Sequence, residues 1–232
     1  MSISFNHFPS PNPTKQNIVF LHGWQQNKNS FNQLIPFLYG KHNIYSIDLP
    51  GFGNTPINEK LKNSFDYANH IYLWLRKNKK IKQPIVIGHS FGGKIASIIA
   101  SQNPTYIKKL ILIAPAGIVK QKTLYKLYKY VPSFFKQKTF NLIASRDYKQ
   151  SGNLLYLFKN IVKENLTKIF RAIKTPTLII WGDKDKELPV KQAFVIHKLI
   201  SHSRLKIIKN GNHFPFWKQP QKVSKLIKTF IQ

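Results

Sequence analysis

Three branched aliphatic residues, Ile85-Val86-Ile87, lead directly into Gly88-His89-Ser90-Phe91-Gly92 and then into the helix-like stretch Gly93-Lys94-Ile95-Ala96-Ser97-Ile98-Ile99. Strand, Gly-x-Ser-x-Gly and helix in that order reverse the chain so sharply at the serine that side chains two residues before and after it would collide. Glycine at both positions relieves that collision. The hydroxyl is then held out above the end of a sheet, and the helix beginning beside it points main-chain N–H groups at negative charge developing there.

The rest of the chain agrees with such a sheet. Short apolar runs bounded by Gly, Pro and Asn alternate with longer helical patterns, which predicts an α/β fold with a mostly parallel central sheet and helices on both faces. Strands are expected at Ser2 to Phe8, Asn17 to Leu21, Ile44 to Ile47, Ile85 to Gly88, Leu110 to Ile113, Thr177 to Trp181 and Leu205 to Ile208. Most are continuous Ile, Val and Leu, as strands buried on both faces are. Helices are expected at Phe31 to Leu38, Phe65 to Asn78, Gly92 to Ser101, Val190 to Leu199 and Pro220 to Phe230, from apolar residues at helical spacing. There is no internal repeat. Between Gly117 and Ile173 the alternation stops, and Tyr, Phe, Leu and Lys mix in helical patterns. A structureless loop of that length is foreign to a compact domain, so 117–173 is expected to be a helical cap. Residues 1–116 and 174–232 would then form the core domain. Aromatic residues of this insertion, Tyr125, Tyr128, Tyr130, Phe134, Phe135, Tyr156 and Phe158, either line a pocket or bury the cap against the core.

Composition narrows the function. A 232-residue chain that is 42% hydrophobic can fill a sizeable core, which excludes disorder throughout. The formal charge of +29 comes from 37 basic residues against 8 acids, and 33 of the 37 are Lys. Such a charge would ordinarily suggest a nucleic-acid, membrane or acidic partner. Here it accompanies an excess of Asn, Ile, Phe and Tyr, all with A- and T-rich codons, so mutational bias accounts for it without selection for binding. Lys is also the poorer residue where planar, bidentate recognition is wanted. No nucleic-acid-binding motif is present, and no specific nucleic-acid partner is expected. With no Cys there is no disulfide, thiolate metal site or Cys nucleophile. No stretch approaches a membrane span and the N-terminus lacks a signal pattern, so a cytoplasmic protein is expected. No metal-ligand spacing or phosphate-cradling glycine loop appears, so no cofactor is expected.

A serine hydroxyl needs a base, and the base needs a partner that fixes its tautomer. Trp181-Gly182-Asp183-Lys184-Asp185 follows the sixth predicted strand and Asn210-Gly211-Asn212-His213 follows the seventh. Both therefore emerge at the carboxyl end of the sheet, on the side of the serine. His213 alone among the eight histidines has this context. His7, His42, His70, His197 and His202 lack a partner pattern, and His89 is read as the variable residue inside the turn.

The chain order Ser, Asp, His, together with His22-Gly23-Trp24, Asp48-Leu49-Pro50-Gly51-Phe52-Gly53 and Ile113-Ala114-Pro115-Ala116-Gly117, resembles the α/β-hydrolase superfamily in its serine esterase branch over nearly the whole chain. The resemblance implies Ser90 as nucleophile and His213 as base. It also implies an oxyanion hole from the main-chain N–H groups of Trp24 and Phe91, with His22 ordering that loop by hydrogen bonds. In resembling enzymes Trp-Gly, two variable residues and the catalytic Asp are followed shortly by Pro, here Pro189, which puts the acid at Asp185 rather than Asp183. Ser90 stands where haloalkane dehalogenases and epoxide hydrolases have Asp, which leaves acyl transfer to water from an ester, thioester, amide or activated carbon acid. A small or medium carboxylic ester is the implied substrate. His-Gly-Trp and Asp-Leu-Pro-Gly-Phe-Gly are also similar to the esterase that demethylates a pimeloyl ester on an acyl carrier protein. That similarity makes an acidic carrier protein the alternative partner, facing Lys120, Lys122, Lys126, Lys129, Lys136 and Lys138 of the insertion. Ser145-Arg146-Asp147-Tyr148 and Ile173-Lys174-Thr175-Pro176 resemble bacterial hydrolases of varied substrate. A non-enzymatic basic binder on the same fold is the remaining alternative.

Overall fold

The computed structural model describes residues 2–12, 16–119 and 151–232. Among them, one sheet runs in the order β1-β3-β2-β4-β5-β6-β7. Its strands are β1 (Phe5–Phe8), β2 (Asn17–Leu21), β3 (Asn43–Ile47), β4 (Ile85–His89), β5 (Lys109–Ile113), β6 (Thr177–Gly182) and β7 (Ser203–Ile208). β2 to β7 pair in parallel, and β1 pairs with β3 antiparallel at the edge. The segment read as strand from Ser2 is strand only from Phe5, although the Ser4 carbonyl still accepts the Asp48 N–H at 2.8 Å.

The unbroken apolar strands have a direct cause. Successive residues point to opposite faces, and both faces are covered. Val19, Leu21, Val86, Leu110, Leu112, Ile179 and Trp181 join one core, and Ile18, Phe20, Ile85, Ile87, Ile111, Ile113, Leu178 and Ile180 join the other. α2 (Ser64–Lys77), α3 (Ser90–Gln102) and α6 (Lys191–Leu199) cover the first face. α1 (Ile35–Leu38), α7 (Pro215–Lys218) and α8 (Pro220–Ile231) cover the second. The edge strand β7 instead alternates between exposed and half-buried residues over most of its length.

Between β5 and β6 the described residues form a short 3₁₀ turn (Gly152–Leu154), α4 (Leu155–Ile161) and α5 (Thr167–Ala172). Residues 120–150, with the lysine cluster, most of the aromatic residues predicted for the cap and Ser145 to Tyr148, lie outside the described residues. A buried cation ties α3 to the end of α4 and the turn that follows it. Lys94 of α3, 2% exposed, donates to the Ile161 carbonyl and pairs with Glu164 at 2.8 Å. Glu164 in turn accepts the Ser64 N–H that opens α2, at 2.9 Å. Among the described residues no helix is long and apolar enough to cross a membrane.

Candidate active site

Each candidate residue lies on a loop that leaves the carboxyl end of a parallel strand, the end at which open α/β sheets carry their sites. Ser90 sits at the β4–α3 junction with φ 49°, a left-handed conformation that costs a non-glycine residue free energy and that the packed turn enforces. The flanking glycines are needed for different reasons. A Cβ on Gly88 would lie 2.6 Å from the Gly92 carbonyl oxygen, which is the predicted collision across the turn. A Cβ on Gly92 would instead strike the Leu21 and His22 carbonyls at the end of β2. The second glycine thus answers to the neighbouring strand rather than to the residue at position 88. The Ala116 N–H donates to the Ser90 carbonyl at 3.1 Å and ties the end of β5 to the turn.

The parallel pairing of β6 with β7 sets Gly182 opposite Ile208, so the acid and histidine loops start side by side. They then touch backbone to backbone. Lys184 N–H donates to the Gly211 carbonyl at 2.8 Å and Asp183 N–H to the Ile208 carbonyl at 3.2 Å. A Cβ on Gly182 would run into the carbonyl oxygens of Gly211 and Asn212. This approach brings Asp185 Oδ2 to 2.7 Å from His213 Nδ1, both side chains buried. Asp185 Oδ1 accepts the N–H groups of Glu187 and Leu188 at 2.9 and 2.8 Å, and the Trp181 indole donates to the Leu188 carbonyl at 3.0 Å. Of the two acids weighed from sequence, Asp185 is therefore the one at the imidazole. Asp183 is half-buried, and its Oδ1 has no hydrogen-bond partner among the described residues.

His22 is fully buried and spans the first loop. Its Nδ1 is 2.7 Å from the Gly23 carbonyl, and the Leu49 N–H donates to its Nε2 at 3.0 Å. Together these bonds require the neutral Nδ1–H tautomer. Burial pushes its pKa down to about 4, against smaller opposing effects of the Gly23 carbonyl and Asp48. Asp48 lies beneath the same loop. Its carboxylate accepts the Lys28 N–H at 2.6 Å and the Asn54 N–H at 2.9 Å and pairs with the Lys28 ammonium at 3.2 Å. The Trp24 ring packs on Phe52, Phe91 and Phe158 at 5.0, 5.4 and 5.0 Å between centroids, so an aromatic wall flanks the elbow. Phe158 brings α4 into that wall. Among the described residues the main-chain N–H groups of Trp24 and Phe91 enter no hydrogen bond.

Two residues escaped the sequence reading. His89 is not an incidental residue of the turn. It is 1% exposed, and its Nε2 lies 3.0 Å from the His213 carbonyl, so the turn that presents Ser90 also braces the histidine loop. Burial, with His213 and His22 nearby, holds its pKa well below the ordinary histidine value, and its Nδ1 lies 3.3 Å from Gln26 Oε1. Glu187 places Oε2 at 3.6 Å from His213 Nε2, the nitrogen not engaged by Asp185. A third acid within five residues, in a chain with eight, was the available signal.

A family model described as alpha/beta hydrolase fold matches residues 16–159. The pimeloyl-[acyl-carrier protein] methyl ester esterase of Wigglesworthia glossinidia brevipalpis is 30% identical over 257 residues, covering 93% of this chain and 93% of that protein. YugF of Bacillus subtilis (strain 168), an uncharacterized hydrolase, is 24% identical over 267 residues, covering 100% and 95%. The crystal structure of a lipase-esterase related protein from Clostridium acetobutylicum ATCC 824 superimposes with a TM-score of 0.77 at 18% identity, covering 98% of this chain and 99% of that one.

Proposed function

Because the chain belongs to the alpha/beta hydrolase fold family and is a hydrolase, we propose that it cleaves a carboxylic ester of small to medium acyl length through an acyl-serine intermediate. The observation that carries this reading is the 2.7 Å contact between Asp185 Oδ2 and His213 Nδ1 on loops that leave the same sheet end as the strained Ser90. Asp185 holds the imidazole with its proton on Nδ1, which leaves Nε2 free to accept the Ser90 hydroxyl proton during attack on the ester carbonyl. The tetrahedral oxyanion is stabilised by the Trp24 and Phe91 N–H groups. His213 Nε2–H then protonates the leaving alcohol, and the same base activates water to release the acid and regenerate Ser90. The segment 117–173 serves as a helical cap on the core formed by 1–116 and 174–232. The contacts of Phe158 with Trp24 and of Lys94 with Glu164 support that role.

The test is hydrolysis of p-nitrophenyl esters from acetate upward. Ser90→Ala and His213→Ala should each lower turnover by about a million-fold and Asp185→Asn by about ten-thousand-fold, whereas Asp183→Asn should stay within about tenfold. Equal rates for wild type and folded Ser90→Ala would overturn the reading.

A second substrate is favoured by one observation, the kinship with an esterase whose name specifies an acyl-carrier-protein-linked methyl ester. Carrier proteins are acidic, and a chain of net charge +29 attracts them at long range. Cleavage of a carrier-linked methyl ester without turnover of any free p-nitrophenyl ester would select this alternative.

A further inference from the structure

Three loops of the candidate site meet on one buried side chain that the steps above do not use. On one side of the His89 ring, Nε2 lies 3.0 Å from the His213 carbonyl, and the two imidazole centroids are 4.8 Å apart. On the other side, Nδ1 lies 3.3 Å from Gln26 Oε1, the atom that accepts the Gly23 N–H at 3.0 Å. A Cβ on Gly23 would stand 2.8 Å from the same Nδ1, so the ring packs directly against the backbone of the first loop. The Gly23 carbonyl and the Trp24 N–H belong to one peptide group. That carbonyl accepts the Gln26 N–H at 3.2 Å, so the orientation of the peptide follows Gly23 and Gln26.

We propose that His89 is a positioning residue that sets the spacing between the oxyanion donor at Trp24 and the base His213. It holds the histidine loop by donating from Nε2 to the His213 carbonyl, and the oxyanion loop by packing on Gly23 and Gln26. The inference rests on the esterase reading and deepens it. Both oxygens at the ring edges only accept hydrogen bonds. Burial keeps the ring neutral, so its single proton serves one of them, and the shorter contact takes it. Attack on the ester places a proton on His213 and negative charge at the Trp24 N–H in the same step. A spacer between these two points acts on the transition state. A ring 1% exposed offers the substrate no surface of its own.

The experiment measures kcat and KM for the preferred p-nitrophenyl ester, with urea unfolding of each preparation. His89→Phe keeps a ring but has no donor. It should lower kcat by about ten- to a hundredfold, with KM changed less than about twofold. His89→Gln carries an amide N–H to the place of Nε2 and should recover most of that loss, whereas His89→Asn reaches only the place of Nδ1 and should not. Gln26→Ala, at a half-buried position, strands the Gly23 N–H and should lower kcat by about three- to tenfold at constant KM. Wild-type kcat in folded His89→Phe, or a kcat no higher in His89→Gln than in His89→Asn, overturns the inference and leaves the esterase reading standing. If the His89 variants do not fold, Gln26→Ala decides: a lower kcat at constant KM supports the inference and wild-type kcat overturns it. Equal rates for wild type and folded Ser90→Ala overturn both readings together.

Discussion

Replacing Gly182 by Ala tests whether the site is assembled by backbone contact between two loops. The added Cβ would overlap the Gly211 and Asn212 carbonyl oxygens by about 1 Å relative to an ordinary carbon–oxygen contact of roughly 3.3 Å. Both partners are main chain and no side chain can swing aside, so the loops must part. Parting them stretches the Lys184 N–H bond to the Gly211 carbonyl and carries His213 away from Asp185, now 2.7 Å apart. Overpacking of this kind costs about 1–3 kcal/mol of stability, and a displacement of about 1 Å in a catalytic group costs about a hundredfold in rate. The assay is kcat for the preferred p-nitrophenyl ester, alongside urea unfolding of the same preparation. Ile227→Val, which shortens a fully buried side chain on α8, supplies the control. It should cost about 1 kcal/mol with kcat unchanged. A folded Gly182→Ala variant that retains more than half of wild-type kcat would refute the reasoning, because the loops would then tolerate separation without consequence.

Stability should fall as the solution is acidified, and the sign follows from the two buried imidazoles. Above pH 6.5 His22 is neutral in both the folded and the unfolded chain. Between pH 6.5 and about 4 the unfolded chain binds a proton that the folded one refuses, so the folded state loses about 3 kcal/mol from His22 alone, with His89 acting in the same direction. Equal urea midpoints at pH 7.5 and pH 4.5 would contradict this. Lys94→Met should cost about 3 kcal/mol, because it strands Glu164 and the Ile161 carbonyl. Lys94→Met combined with Glu164→Gln should recover more than half of that loss. Measured by denaturant unfolding, a single variant within about 0.5 kcal/mol of wild type would show that the buried pair does not hold α4 to α3.

The β/α alternation was legible residue by residue. Both faces of the sheet are covered by helices, so the inner strands are apolar through most of their length, and Ile85 to Ile87 or Leu110 to Ile113 could hardly be read otherwise. The turn around Ser90 was legible as a motif, and the constraint on Gly88 is local to it, but the constraint on Gly92 comes from the Leu21 and His22 carbonyls of the neighbouring strand. Which of Asp183 and Asp185 meets the imidazole followed from sequence only through family likeness. In the molecule it follows from the β6–β7 register and from two glycines that let the loops touch. The brace from His89 to the His213 carbonyl, the carboxylate of Glu187 at Nε2 and the clasp of Lys94 on Glu164 were not legible. Each joins groups at least 26 residues apart in the chain. Local propensity and spacing act over one element, whereas these contacts depend on which strands become neighbours. They exist only once burial of the two apolar faces has fixed the strand order.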